Sequence, residues 1–216
     1  MHSKIAAALT FALISFLAVC GAATAADGRV VVKFLSRERA GWHEQASAFD
    51  AQRLSRLDEA RAKGLDEASR GATPSDLAAI DAVLHAQVTP ASASALTGVW
   101  RCRMIKLGDV TPDIIYSWFR CRISERGGAL FFEKLSGSQR TSGFLYGEGQ
   151  GFVYLGASSV TGEKPHRYSG NGAAVGAPAT PDDQIGLLSL LADGRARLEL
   201  PYPVQESTFD VIELKR

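Results

Sequence analysis

The chain has 216 residues, 46% of them hydrophobic and 22% charged, with 24 Lys+Arg against 23 Asp+Glu and a formal net charge of +1. That near balance excludes the whole-molecule positive field of a nucleic-acid-binding protein, and no nucleic-acid partner is expected.

Residues 1–25 read as a signal peptide. Lys4 supplies the positive start, Ile5 to Val19 runs without a charge, and Ala23-Thr24-Ala25 is the small-x-small pattern of a cleavage site. The mature chain is expected to begin at Ala26. Its apolar leader is too short for a membrane span, which takes about 20 apolar residues, so no transmembrane span is expected in the mature form. Leu17 to Gly21 offers a rival lipoprotein reading with Cys20 acylated, which Val19 fits poorly where a small residue is usual. Cleavage removes Lys4 and no acidic residue, leaving 23 basic (24 minus 1) against 23 acidic. The location implied is periplasmic or secreted.

Residues 26–95 read as a helical N-terminal layer. From Glu38 to Arg70 the apolar residues Ala46, Phe49, Leu54, Leu57, Leu65 and Ala68 recur at helical steps, with Gly64 as the point where a bend is expected. Thr73-Pro74-Ser75-Asp76 then supplies an N-cap hydroxyl and a first-turn proline. Leu77, Ile80, Val83 and Leu84 form the second helix of a hairpin, and Pro90 with the Ala/Ser stretch 91–95 ends it. So short a hairpin buries little by itself and must pack on the C-terminal part of the chain.

Residues 96–216 read as an antiparallel β-barrel-like domain. Strands are expected near 97–107, 114–124, 129–135, 139–147, 151–157, 185–192, 195–202 and 207–215, parted by turn residues such as Gly127-Gly128 and Asp193-Gly194. Asp-Gly suggests a type I′ turn. The predicted class is α+β, a helical hairpin packed on a barrel of about eight strands.

Within the first two strands, Trp100-Arg101-Cys102-Arg103 is echoed by Trp118-Phe119-Arg120-Cys121-Arg122. Once Cys20 is gone, Cys102 and Cys121 are an even pair in an oxidising compartment and are expected to bridge, stabilising by about 3 kcal/mol. If the cysteines lie directly opposite, Trp100, Cys102 and Met104 share the core face with Phe119, Cys121 and Ile123. The other face then carries Arg101 opposite Arg122, Arg103 opposite Arg120, and Ile105 opposite Trp118. Opposed like charges destabilise a sheet without negative compensation. Carboxylates such as Glu133, Glu199 or Glu213 supply it in one reading, and a bound anion or acidic partner in the other. Arg101, Arg103, Arg120, Arg122 and Trp118 are therefore the candidate binding residues.

Other segments carry weaker signals. Gly147 to Gly151 has no helix after it and no Lys-Ser/Thr, so it reads as a turn and not a phosphate loop. Ser136 to Gly143 lacks a G-x-S-x-G elbow, and Ser138, Arg140 and Ser142 alternate onto one strand face. His43, His85 and His166 show no ligand spacing, so neither a metal nor a cofactor is implied. Ser158 to Gln184, which contains His166-Arg167-Tyr168 and is rich in Gly, Ala and Pro, reads either as a lid or binding arm or as a disordered stretch.

Gly98-Val99-Trp100 at the first strand, about eight strands and the terminal Lys215-Arg216 are similar to the lipocalin and calycin plan, in which a Trp near the barrel base is covered by a basic side chain from the last strand. Small secreted metalloprotease inhibitors resemble the same plan with one early disulfide. The runs Trp100 to Leu107, Trp118 to Ile123, Glu133-Lys134-Leu135, Ser138 to Gly143 and Phe209-Asp210-Val211 resemble an exported bacterial family known as a domain of unknown function, which implies no site. No catalytic residues are identified, and an enzyme would need a convergent acid, base or nucleophile that the sequence does not place. The expected function is a non-enzymatic module binding an anionic small molecule or acidic partner. The alternative is a protease inhibitor or envelope interaction protein acting through 158–184 or the N-terminal segment Ala26 to Leu35.

Overall fold

The computed structural model describes residues 41–170 and 180–216. The expected signal peptide, Cys20, the start of the helical layer and residues 171–179 of the long loop lie outside them. The strands are β1 (Val88–Thr89), β2 (Gly98–Leu107), β3 (Asp113–Ile115), β4 (Phe119–Arg126), β5 (Ala129–Lys134), β6 (Gln139–Glu148), β7 (Gly151–Val160), β8 (Asp183–Leu191), β9 (Ala196–Pro201) and β10 (Phe209–Lys215). Their pairing runs β8-β7-β6-β5-β4-β2-β10-β9 and returns from β9 to β8, closing an antiparallel eight-stranded barrel. β1 adds to β8, and β3 pairs with the end of β2.

Alternation along each strand fills the barrel. Trp100 and Cys102 from β2, Cys121 and Ile123 from β4, Leu130 and Phe132 from β5, Tyr154, Leu188, Leu198 and Ile212 form one buried cluster. Eight strands leave an interior about wide enough for such side chains. The expected second strand breaks at Tyr116 to Trp118, which separates β3 from β4. At Asp193-Gly194 only Gly194 has positive φ, and its N–H donates to the Leu191 carbonyl, so the turn is type I with a left-handed glycine and not type I′.

The Cys102–Cys121 bridge is present with Cα atoms 5.8 Å apart, but the register differs by two residues from direct opposition. Cys102 faces Phe119 and Cys121 faces Trp100, so the disulfide joins diagonal positions. A shift of two preserves parity. The arginines stay on the outer face, but Arg101 now opposes Arg120, and Arg122 opposes Val99.

The outer face of β2 and β10 is apolar where Ile105, Leu107, Phe209 and Val211 lie, and helices cover it. These are α1 (Trp42–Gln45), α2 (Ala48–Ser55), α3 (Leu57–Ser69) and α4 (Pro74–Leu84), with α5 (Ala93–Leu96) after β1. The hydroxyls of Ser47 and Thr73 accept the Asp50 and Asp76 N–H groups as N-caps. The chain turns at Arg56, not at Gly64. The turn lets Arg53 donate to the Tyr202 and Asp183 carbonyls while Arg56 stacks on the Tyr202 ring at 4.5 Å.

Gly64 serves close approach instead. A Cβ there would stand 2.8 Å from the Phe209 Cβ and 3.2 Å from the Leu107 Cβ, atoms fixed to barrel strands. Ala favours helix over Gly by up to ~1 kcal/mol, whereas overpacking costs about 1–3 kcal/mol. With contact at a Cβ and not at a flexible tip, the second effect wins. Gly64→Ala is expected to lower the unfolding free energy by about 1–2 kcal/mol net, measured by urea denaturation against wild type.

Candidate functional site

On the outer face the arginine quartet divides. Arg103 donates to Glu213 at 2.6 Å, and the buried Glu213 carboxylate also takes Arg195 at 2.8 Å. Arg122 and Arg126 share Glu133. Glu199 instead takes Arg61 at 2.6 Å and Arg197 at 2.9 Å. Arg101 leans over the Trp118 ring at 5.6 Å, which also meets Arg103 at 4.8 Å and Lys215 at 4.0 Å. The Arg120 guanidinium has no partner among the described residues, although its backbone N–H donates to Ser136 Oγ. Arg120, Arg101 and Lys215 are thus three cations in register across β4, β2 and β10.

The two ends of the barrel differ. At the end where β2 starts, the Trp100 indole donates to the Leu96 carbonyl of α5 at 2.8 Å, and Arg216 from the chain end stacks over Trp100 at 4.5 Å. That end is sealed. At the other, inward positions become polar, and Lys106, Lys134, Gln139, Thr141, Gln184 and Asp210 line a cavity of about 590 Å³. Tyr154 floors it. Its hydroxyl donates to Thr141 Oγ1 at 2.7 Å, and Thr141 in turn donates to Gln184 Oε1, which fixes the direction of the chain. Gly156 makes room for that ring, since a Cβ there would lie 2.1 Å from the Tyr154 oxygen. Burial pushes the Tyr154 phenol well above its ordinary range.

The mouth's charged groups have unlike partners. Lys106 is buried and donates to Glu206 at 2.6 Å. Glu206 sits at φ +70° and Tyr202 at +46° in the same β9–β10 loop, non-glycine backbone that the loop's tertiary contacts must hold. Asp210 accepts from Ser207 Oγ at 2.6 Å, and burial lifts its carboxyl to about 6. Lys134 is 8% exposed. It donates to the Gln139 carbonyl and lies 4.1 Å from the Phe119 ring, with no carboxylate partner among the described residues. Burial first, and then the neighbouring Arg140 charge, bring its amine down to about 8. Arg140 Nη1 is itself buried without a hydrogen-bond partner.

Segment 161–170 borders this rim. His166 Nδ1 lies 3.0 Å from Asp182, which accepts from Ser158 Oγ at 2.9 Å. Tyr168 donates to the fully buried Asp50 and accepts the Ser47 N–H, tying the segment to α2. Within Gly147 to Gly151, Gly149-Gln150 is the β6–β7 turn and the flanking residues belong to the two strands. Among the described residues no group of three or more His, Cys, Asp or Glu is placed to hold a metal ion, and no helix is long and apolar enough to cross a membrane.

The sequence reading found the outer arginines and missed the mouth. A signal was there: Lys106 shares the inward parity of Cys102 and Met104, and Lys134 that of Leu130 and Phe132. A charge at an inward position near a strand end belongs to a rim. Which rims meet is decided by barrel closure, which no local pattern carries.

Arg103→Ala is expected to lower stability by about 1–2 kcal/mol in denaturant unfolding, below the 3–5 kcal/mol of a fully broken buried pair because Glu213 keeps Arg195. Asp210 gives a pH signature. Its folded pKa of about 6 lies above the unfolded value near 3.9, so between those values the folded chain holds a proton that the unfolded chain has lost. Its contribution is therefore greatest below about pH 4 and falls as pH rises to about 6, by roughly 3 kcal/mol in all. Asp210→Asn is expected to abolish that slope, so that the variant gains on wild type between pH 4 and 7.5 in paired unfolding curves.

No curated protein and no solved structure matches the chain, and the lipocalin and inhibitor resemblances are not shown. A family model described as Domain of unknown function (DUF4893) matches residues 42–214, and the chain belongs to that family.

Proposed function

We propose that the protein is a non-enzymatic binding module for a small anion, held at the barrel mouth between Lys134 and Arg140. The observation that carries this is the pairing state of those two cations. A buried guanidinium nitrogen without an acceptor costs about 1–3 kcal/mol. Beside it stands a buried amine with one carbonyl acceptor and, among the described residues, no carboxylate. A carboxylate or phosphate oxygen between them satisfies both, and charge-assisted bonds of that kind are the stronger class. Thr141 and Gln184 give the rim further polar contacts.

A second reading keeps the anion or acidic partner on the outer face, where Arg120, Arg101 and Lys215 oppose one another across three strands. Directly opposed like charges destabilise unless compensated. One experiment separates the two. Melting temperature is measured against phosphate and citrate at constant ionic strength, for wild type, Lys134→Met, Arg140→Met and Arg101→Ala/Arg120→Ala. A ligand at 100 times its Kd stabilises by about 2.7 kcal/mol. The mouth reading expects stabilisation of wild type that both mouth variants lose and the outer-face variant keeps; the reverse pattern supports the outer face, and no anion effect in wild type overturns both. The effect should also fade as pH rises past about 8, because the Lys134 amine then loses its charge.

A further inference from the structure

The anion site opens in two directions. Below it the barrel offers no room, because Tyr154, Phe132 and Trp100 are fully buried and fill the interior. Outward, Lys134, Arg140, Thr141 and His166 also line a second cavity, of about 800 Å³, on the outer face of β5, β6 and β7. The two cavities therefore meet at Arg140, whose Nη1 has no hydrogen-bond partner among the described residues.

Strand register gives that outer cavity a graded floor. Phe131, Phe144 and Leu155 are directly opposed across β5, β6 and β7, with the two phenyl rings edge to face at 4.9 Å. Two residues nearer the mouth, the row is Glu133, Ser142 and Ala157, and two residues nearer still Arg140 faces Ser159. Along β6 and β7 small side chains thus separate the apolar row from the cation, over a span of about 13 Å for four strand residues. Segment 161–168 forms the roof, fixed at Tyr168 by its bonds to Asp50 and Ser47. At the far wall Arg126 lies 4.0 Å over Phe131 and is bound to Glu133, so its charge is engaged there.

We infer that the ligand is an amphipathic anion, with its charged head between Lys134 and Arg140 and its aliphatic or aryl tail on the Phe131-Phe144-Leu155 floor. This rests on the mouth reading above and adds the ligand's chemical class. The filled interior denies a tail the usual place inside a barrel, and the continuous cavity at Arg140 provides another. A ligand without a charge leaves Arg140 Nη1 with no acceptor among the described residues.

The test titrates the full chain with inorganic phosphate, butyl phosphate and octyl phosphate by calorimetry, all below the micellar range. Burial of each methylene is worth about fourfold in affinity, so octyl phosphate is expected to bind wild type at least tenfold more tightly than inorganic phosphate. Phe131→Ser removes part of the floor, and Ser142→Tyr blocks the passage between head and tail. Both are expected to lose most of the octyl increment, and inorganic phosphate titrated into the same variants checks that each still folds and presents the head site. Should Phe131→Ser fail to fold, Ser142→Tyr alone decides. Equal binding of inorganic and octyl phosphate by wild type, or an octyl increment that survives Ser142→Tyr, overturns the tail site and leaves the anion site standing. Binding of none of the three by wild type removes both.

Discussion

An eight-stranded barrel has an interior about wide enough to be filled by its own side chains, and that limit decides where this chain can put polar chemistry. Trp100, Phe132 and Tyr154 take up the middle. The buried charged residues with inward parity, Lys106, Lys134 and Asp210, consequently stand near strand ends, where the barrel opens. Of the two ends, one is closed by α5, Trp100 and Arg216. The whole polar interior is therefore gathered at the other.

The same limit explains the buried charges outside. Helices α3 and α4 must cover the apolar outer surface of β2 and β10, and their borders fall on strands that carry Glu199 and Glu213. Each carboxylate is shared by two guanidiniums, Arg61 with Arg197 and Arg103 with Arg195. Arg197 also donates to the Val83 and Leu84 carbonyls at the end of α4, groups that the helix cannot satisfy itself. Buried ion pairs add little net stability against apolar replacements. Here their geometry ties one helix end and one helix side to particular strand positions, so they serve registration of the helical layer on the barrel.

Much of this was legible in the sequence because a strand's period of two is local. Leu130, Phe132 and Phe131, Glu133 sort to opposite faces by parity alone, and turn residues mark where each strand ends. The outer placement of the arginines survived even though the register did not. A disulfide spans diagonal as well as direct neighbours, so the bridge was compatible with both alignments, and both have the same parity. The turn at Arg56 had no glycine or proline to announce it, being fixed by what Arg53 and Arg56 touch on the barrel. Gly64 was visible as a helix weakness, whereas its cause, a strand 2.8 Å from where a Cβ would stand, is a tertiary fact.

The mouth was hidden for a further reason: its residues come from β2, β5, β6, β8 and β10, which only closure brings together. Its meaning rests on a contrast within the chain. Four described cations are less than a tenth exposed: Arg53, Lys106, Lys134 and Arg197. Three of them have a carboxylate within 3 Å, Asp50 at 2.8 Å, Glu206 at 2.6 Å and Glu199 at 2.9 Å. The fold supplies a negative partner to a buried cation even where that takes a left-handed glutamate, as at Glu206. Lys134 departs from that pattern, and the side chain beside it, Arg140, carries a buried donor with no acceptor. Two such omissions among the described residues, at one rim where the barrel opens onto a groove, are what the proposed bound anion would satisfy.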